Sequence, residues 1–133
     1  PVAMTAGIKT LEILSENNFH KNLEKKTARL MMGLKKSAEK HNIGFQISYA
    51  GGMFGFFFTN KKKINNFKEV CDCNELIFEK FFKLMLSKGI YFAPSLFEAG
   101  FISSRHTMKD IQYTIKAAEE SFKEISKKIK FSI

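Results

Sequence analysis

Residues 89–107 join two long amphipathic segments and read Gly-Ile-Tyr-Phe-Ala-Pro-Ser-Leu-Phe-Glu-Ala-Gly-Phe-Ile-Ser-Ser-Arg-His-Thr. The stretch is rich in aromatic residues, and Glu98 stands in its middle between apolar neighbours. Moving an unpaired carboxylate into apolar surroundings is costly, so a glutamate in such a place is a candidate functional residue. Most glutamates in proteins are exposed, however, so an ordinary surface position is the alternative interpretation.

The segment before this stretch begins with two predicted helices. Pro1 suits the first turn of a helix, and apolar residues follow it at helical spacing as far as Leu14. A break at Asn17 and Asn18 precedes a second helical pattern, whose apolar or small positions are Leu23, Thr27, Leu30, Leu34 and Ala38. Asn42 and Gly44 are expected to close this helix, because both residue types tolerate the left-handed conformation at a helix end.

A hairpin is predicted next. Phe45, Ile47 and Tyr49 alternate with smaller or polar residues, which is the pattern of a half-buried strand. Two glycines, 51 and 52, supply the turn, and residues 53–59 return as a strand with aromatic residues on both faces. Such a strand needs cover on both sides, from this chain or from something outside it.

Two more helices and a third strand are predicted around the central stretch. Asp72 with Glu75 matches a capping box that opens a third helix, and Gly89 ends it. Residues 90–93 are predicted as the third strand. Thr107 with Asp110 has the same capping pattern and opens the last helix, with apolar positions Ile111, Ile115, Ala118, Phe122, Ile125 and Ile129. On its charged face, ion pairs are expected from Glu119 to Lys123 and from Glu124 to Lys128.

These elements predict an α+β fold: a small, mostly antiparallel three-stranded sheet covered by helices. At 133 residues, the length indicates a single domain, and 44% apolar residues are enough for a modest core. The chain starts at Pro1, where a helix is already expected, so we interpret it as the C-terminal part of a longer protein. We expect no membrane span, because no stretch is apolar for long enough.

Composition argues against several function classes. The net charge is +9, but nearly all of the positive charge is lysine, and Arg29 and Arg105 are the two arginines. Lysines interspersed with acids on helix faces favour a solvated surface over a nucleic-acid interface, although a non-enzymatic basic interaction module stays open as an alternative. Cys71 and Cys73 lack the spacing of a zinc site, and we expect free thiols in a cytoplasmic protein.

The residues alone do not supply a catalytic set. There is no nucleophile paired with a base, and no glycine loop ahead of a helix that would cradle a phosphate. The lysines lie on charged faces, where an ammonium group is a poor Schiff-base former. His106 adjoins a helix start, and we expect a structural role for it.

Five short stretches carry a resemblance to a known family. Residues 91–95 (Tyr-Phe-Ala-Pro-Ser), 97–101 (Phe-Glu-Ala-Gly-Phe) and 106–107 (His-Thr) resemble the C-terminal signature of the glutamate-1-semialdehyde 2,1-aminomutases. Residues 1–7 (Pro-Val-Ala-Met-Thr-Ala-Gly) resemble the helix start that follows that family's catalytic lysine region. Residues 52–58 (Gly-Met-Phe-Gly-Phe-Phe-Phe) resemble its aromatic hairpin. These enzymes are class III aminotransferases that depend on pyridoxal phosphate (PLP).

The resemblance implies a domain organisation. Residues 1–133 would be the small C-terminal domain of a fold-type I PLP enzyme, and residues 1–42 its helical lead-in from a large domain. The aldimine-forming lysine and the main phosphate contacts would then precede Pro1, so we expect no cofactor on this chain alone and no activity from it. The parent enzyme would be a cytoplasmic homodimer with PLP as cofactor and no nucleic-acid or membrane partner.

The resemblance also implies an activity and site residues. The parent would convert glutamate-1-semialdehyde to 5-aminolevulinate in tetrapyrrole synthesis, a small-molecule isomerisation. Glu98 would stand at the mouth of the active site, desolvated by Phe97 and Phe101, with Ser95 and Phe97 near the substrate. The chain departs from the family at Leu96, where a glutamine is usual, and at Arg105, where a small residue is usual. The C-terminal domain of another class III aminotransferase stays open as an alternative.

Overall fold

The structure is a computed structural model that describes the backbone of residues 1–130 and the side chains of residues 1–127. Its elements in chain order are α1 (Val2–Leu14), α2 (Phe19–Lys40), β1 (Gln46–Ala50), β2 (Met53–Phe57), α3 (Phe67–Cys71), α4 (Glu75–Ser87), β3 (Gly100–Phe101) and α5 (Met108–Lys130). The three strands form one antiparallel sheet in the order β1-β2-β3. The predicted α+β fold with a three-stranded sheet covered by helices is therefore confirmed.

The long helices lie where their periodicity predicts them. Asn18 has φ 66° and separates α1 from α2, while Asn42 has φ 55° and closes α2, as expected for the residue type that tolerates this conformation. The predicted apolar positions of α2 and α5 are buried or half-buried through Ile125, and α2 and α5 pack against each other. Ile129 and the expected pair of Glu124 with Lys128 involve side chains outside the described residues.

The hairpin forms in the predicted register. Ala50 pairs with Met53 across a two-residue turn in which Gly51 has φ 55°, a value that favours glycine. On β2, alternate side chains point to opposite faces, and Phe54 and Phe56 are buried on the face that the helices cover. That inner face meets an aromatic cluster centred on Phe81 of α4 and Phe122 of α5, whose rings stack 4.8 Å apart.

The third strand is not at residues 90–93, as predicted, but at Gly100–Phe101, which pairs with Phe54 and Met53. Phe92 turns inward instead and is 8% exposed, with its ring 5.3 Å from that of Phe56. Gly100 allows the later residues to reach the sheet, because a Cβ there would lie 2.3 Å from the Phe54 ring. The lack of a side chain at Gly100 therefore determines where β3 forms.

The start of α4 also differs from its prediction. Asn74, and not Asp72, caps α4, with its side-chain oxygen accepting a hydrogen bond from the Ile77 N–H at 2.9 Å. Asp72 instead ends α3, a short helix that the sequence reading missed, and pairs with Lys61 at 2.7 Å. This pairing raises the pKa of Lys61 and lowers that of Asp72.

Two smaller expectations were wrong. Glu119 pairs with Lys40 of α2 and not with Lys123, and the hydrogen bond from Lys40 lowers the pKa of Glu119. Gly44 is not in the left-handed region; it is needed because a Cβ there would lie 2.8 Å from the backbone oxygen of Thr59.

Among the helices of residues 1–130, none is long and apolar enough to cross a membrane.

Candidate functional site

A tight turn fixes the backbone around Glu98. The Glu98 N–H donates to the carbonyl oxygen of Ser95 at 3.1 Å, and the Phe97 N–H donates to the Ser95 Oγ at 3.2 Å. Leu96, between them, is buried at 7% exposure and anchors the turn to the core. Hydroxyl-to-backbone bonds of this kind stabilise turns, so the position of Glu98 is set by its own segment.

The outer face of the sheet, away from the helices α4 and α5, carries an apolar depression of about 290 Å³. We call it the sheet groove; its characteristic lining residues are Met53, Phe57, Phe67, Val70, Phe97 and Glu98. Phe67 of α3 and Phe97 lie side by side, with ring centroids 5.6 Å apart. Both remain largely exposed, at 72% and 52%, so the groove is open.

A second depression of about 340 Å³, the loop groove, lies between residues 90–102 and the start of α5. Its lining includes Tyr91, Phe101, His106 and Asp110, and Glu98 lines this groove as well as the sheet groove. Glu98 therefore lies at the boundary between the sheet groove and the loop groove.

The polar side chains of the loop groove make local hydrogen bonds just before α5 and at its first turn. His106 Nδ1 accepts a hydrogen bond from the Ser103 N–H at 3.0 Å, which supports the structural role expected for this histidine. Asp110 Oδ2 accepts from both the N–H and the Oγ1–H of Thr107 at 2.7 Å, and these bonds lower the pKa of Asp110. The predicted capping pattern of α5 is thus formed.

Ser95, Phe97 and Glu98 lie in one turn, but the environment of Glu98 differs from the expected one. We expected Phe97 and Phe101 to desolvate the carboxylate. Both rings are exposed in this chain, at 52% and 68%, and Glu98 is exposed as well. Neither ring covers Glu98, so the described residues leave its side chain exposed.

Sequence reasoning missed Phe67 and the helix that positions it. The signal was present: Asn66 followed by Glu69 is a capping pattern, and the Asn66 side chain accepts the Glu69 N–H at 3.0 Å. Glu69 in turn accepts the Asn65 N–H at 2.7 Å. Phe67 follows this cap directly and lines the sheet groove beside Phe97.

Neither groove fits PLP by itself. The lining of the sheet groove contains no lysine, arginine or histidine, and the loop groove adds His106 alone. Both linings thus lack a Schiff-base amine, and both lack the lysine and arginine side chains that pair with a phosphate. No metal-binding cluster occurs within residues 1–130 either. Cys71 and Cys73 are free, and burial raises the pKa of Cys73, which disfavours a reactive thiolate.

Comparison with known proteins gives the fold a context. No family model matches the chain. The fold is similar to that of the Sphingopyxis sp. MTA144 FumI protein, solved in its PLP internal aldimine form, with a TM-score of 0.74 at 22% sequence identity. The match covers 95% of this chain but 27% of the FumI chain. The chain therefore has the fold of a portion of the FumI chain and spans about a quarter of that chain's length.

Proposed function

We infer that this chain is the C-terminal domain of a PLP-dependent aminomutase that converts glutamate-1-semialdehyde to 5-aminolevulinate. The observation that carries the proposal is the position of Glu98. The Phe-Glu-Ala-Gly-Phe run, which resembles the aminomutase signature, forms a fixed turn and strand that hold a carboxylate between two grooves. The fold match to a PLP enzyme supports a parent of this class.

In this proposal, the domain contributes the rim of the active site and the rest of the polypeptide contributes its floor. The lysine that bonds the cofactor and the phosphate contacts are proposed to belong to the part of the enzyme that the resemblance places before Pro1. When bound there, the cofactor would supply an electron sink and would carry the amino group during its transfer. Residues 1–42 connect this domain to the larger one, and the enzyme works as a homodimer.

Glu98 is assigned a binding role at that rim. Its carboxylate accepts hydrogen bonds or pairs with a cationic amine at the entrance, which helps to retain the small-molecule substrate during turnover. Phe97 provides an apolar wall beside it. Ser95 acts through the turn, because its Oγ already accepts the Phe97 N–H at 3.2 Å.

The test is kinetic and uses the full-length enzyme. Wild type is expected to form 5-aminolevulinate from glutamate-1-semialdehyde without an external amino donor. Glu98→Gln is expected to fold normally and to lose about tenfold or more in kcat/KM, in line with the removal of one charged contact. Glu79→Gln, an exposed α4 change outside both grooves, is the matched control and should retain wild-type kinetics.

Two outcomes would contradict the proposal. An enzyme that requires a separate amino donor and acceptor would be an ordinary class III aminotransferase. Equal kinetics for Glu98→Gln and Glu79→Gln would remove Glu98 from the site. The chain of residues 1–133 alone is expected to give no saturable, stoichiometric visible absorption band with PLP, and such a band would show that it holds the cofactor by itself.

A further inference from the structure

We propose that one face of α2 binds an acidic amphipathic segment of a partner protein. We call this face the cationic stripe; its members are all exposed and are Lys21, Lys25, Arg29, Met32 and Lys36. Carboxylates of the segment would pair with the lysine and arginine groups, and one of its apolar side chains would contact Met32. The stripe shares no residue with the linings of the sheet groove and the loop groove, so this inference is independent of the proposed function.

The positive charge of the chain is concentrated on α2. The 22 residues of this helix include seven lysines or arginines and two glutamates, so α2 carries five of the nine net positive charges of the chain. In α5, by contrast, the 23 residues include six lysines and four acidic residues. Lysines interspersed with acids, which favour a solvated surface, therefore describe α5 but not α2. A helix with so large an excess of one charge attracts partners of the opposite charge.

The spacing of the cations makes the stripe continuous. Lys21, Lys25 and Arg29 follow one another at intervals of four residues, which places them side by side on one face of the helix. Lys36 continues this face two turns after Arg29, so the stripe extends over about 22 Å. Cations four residues apart repel each other and disfavour a helix. Within the described residues none of these four cations makes an ion pair, so an acidic partner would relieve a repulsion that the chain itself leaves in place.

A depression in the stripe favours a polypeptide as the occupant. It has a volume of about 480 Å³ and is lined by Arg29, Met32, Gly33, Lys35, Lys36 and Glu39. Met32 is its apolar group and is 57% exposed. An apolar side chain flanked by cations is complementary to an amphipathic helix that carries apolar and acidic residues on one face. The stripe contains a single arginine and no aromatic residue, whereas nucleic-acid sites and membrane-surface helices commonly use both residue types or aromatic anchors.

Fluorescence anisotropy with two defined peptides tests the inference on the full-length protein. The first peptide is helical and carries glutamate and leucine on one face; the second has the same composition in scrambled order. We expect the helical peptide to bind at about 50 mM salt and about tenfold more weakly at about 0.3 M salt, because salt screens exposed charges. The scrambled peptide should bind about fivefold more weakly than the helical one, because it cannot present leucine and glutamate together on one face.

Charge-matched variants locate the binding surface. The double variant Lys25→Gln with Arg29→Gln should bind the helical peptide about fivefold more weakly than wild type, and it should fold normally because it removes repulsion between neighbouring cations. Lys62→Gln with Lys63→Gln is the control: it removes the same charge from exposed positions outside the stripe and should bind as wild type does. Met32→Gln should weaken binding about threefold without changing the salt dependence, because it removes an apolar contact and no charge.

Three results would overturn the inference. Equal affinities of the Lys25 and Arg29 double variant and its control would show that net charge, and not the stripe, attracts the peptide. Equal affinities of the helical and scrambled peptides would show that no amphipathic segment is recognised. Tighter binding of oligouridylate or of phosphatidylserine vesicles, lost in the same double variant, would identify a nucleic acid or a membrane as the occupant. None of these measurements depends on turnover of glutamate-1-semialdehyde, so failure of the proposed function leaves them unchanged.

Discussion

The two faces of the sheet use the same residue types for opposite purposes. On the inner face, Phe56 lies within 5.6 Å of Phe81 and is 8% exposed. On the outer face, Phe67 and Phe97 are no less apolar, yet water covers more than half of each side chain. The difference teaches that aromatic content alone does not identify a core; the elements that cover each face do.

The cover of the inner face consists of α2, α4 and α5. Phe122 of α5 stacks on Phe81 of α4 at 4.8 Å and meets Phe45 of the chain leading into β1 at 5.3 Å. Rings at these distances gain stabilisation beyond the burial of their area. Among the described residues, the short helix α3 and the turn at Phe97 lie beside the outer face, and they leave the sheet groove open.

The largest effect is expected from a cavity in the inner cluster. Phe122 is 0% exposed, and Phe122→Ala should destabilise residues 1–133 by about 3–5 kcal/mol, because it removes transfer energy and leaves a cavity. Phe97→Ala, on the outer face, should cost less than about 1 kcal/mol. Urea unfolding of both variants measures the difference, and similar losses would mean that the two faces are equally packed.

A smaller effect is expected at Gly100, where β3 lies close to the buried ring of Phe54. Gly100→Ala would bring a Cβ to 2.3 Å from the Phe54 ring, and we expect a loss of about 1–3 kcal/mol as the ring or β3 shifts. Gly7→Ala is the control: nothing lies within 4 Å of that Cβ, and alanine should favour α1 by about 1 kcal/mol. If Gly100→Ala is as stable as wild type, the close approach of Gly100 to the Phe54 ring is not required for β3 to form.

Much of the inner face was predictable from local pattern. The spacing of α2 and α5 predicts the stripes that are buried, and the Thr107–Asp110 cap predicts where α5 begins. Ala50 and Met53 flank the turn that the two glycines predict. In each case the conformation that the local pattern favours is also the one that the tertiary contacts require. These elements could therefore be predicted from a single sequence.

The central stretch could not be predicted in the same way. The β-forming run of residues 90–93 favours a strand, but Phe92 is more stable in the core, and Gly100 alone can approach Phe54 closely. The candidate site shows a similar limit. Apolar neighbours in sequence predict burial of Glu98, whereas in the fold Glu98 and Phe97 are both exposed.

The smallest effect concerns the start of the helix that covers the inner face. Hydrogen bonds from Thr107 lower the pKa of Asp110 in the folded state, below the roughly 3.9 of an unfolded aspartate. The contribution of Asp110 to stability is therefore complete above the unfolded pKa and is lost as the pH falls through the folded pKa. Asp110→Asn should weaken the acid dependence of the unfolding free energy between about pH 5 and pH 2.

Asp72 and Glu119 also have lowered pKa values, but their main partners are the ammonium groups of Lys61 and Lys40. Salt at about 1 M screens such exposed pairs, whereas the Thr107 bonds to Asp110 involve neutral donors and should persist. The difference between wild type and Asp110→Asn should hence survive in high salt, as measured by urea unfolding across the same pH range. If high salt abolishes this difference, the start of α5 is stabilised by long-range charge interactions and not by the hydrogen bonds of its cap.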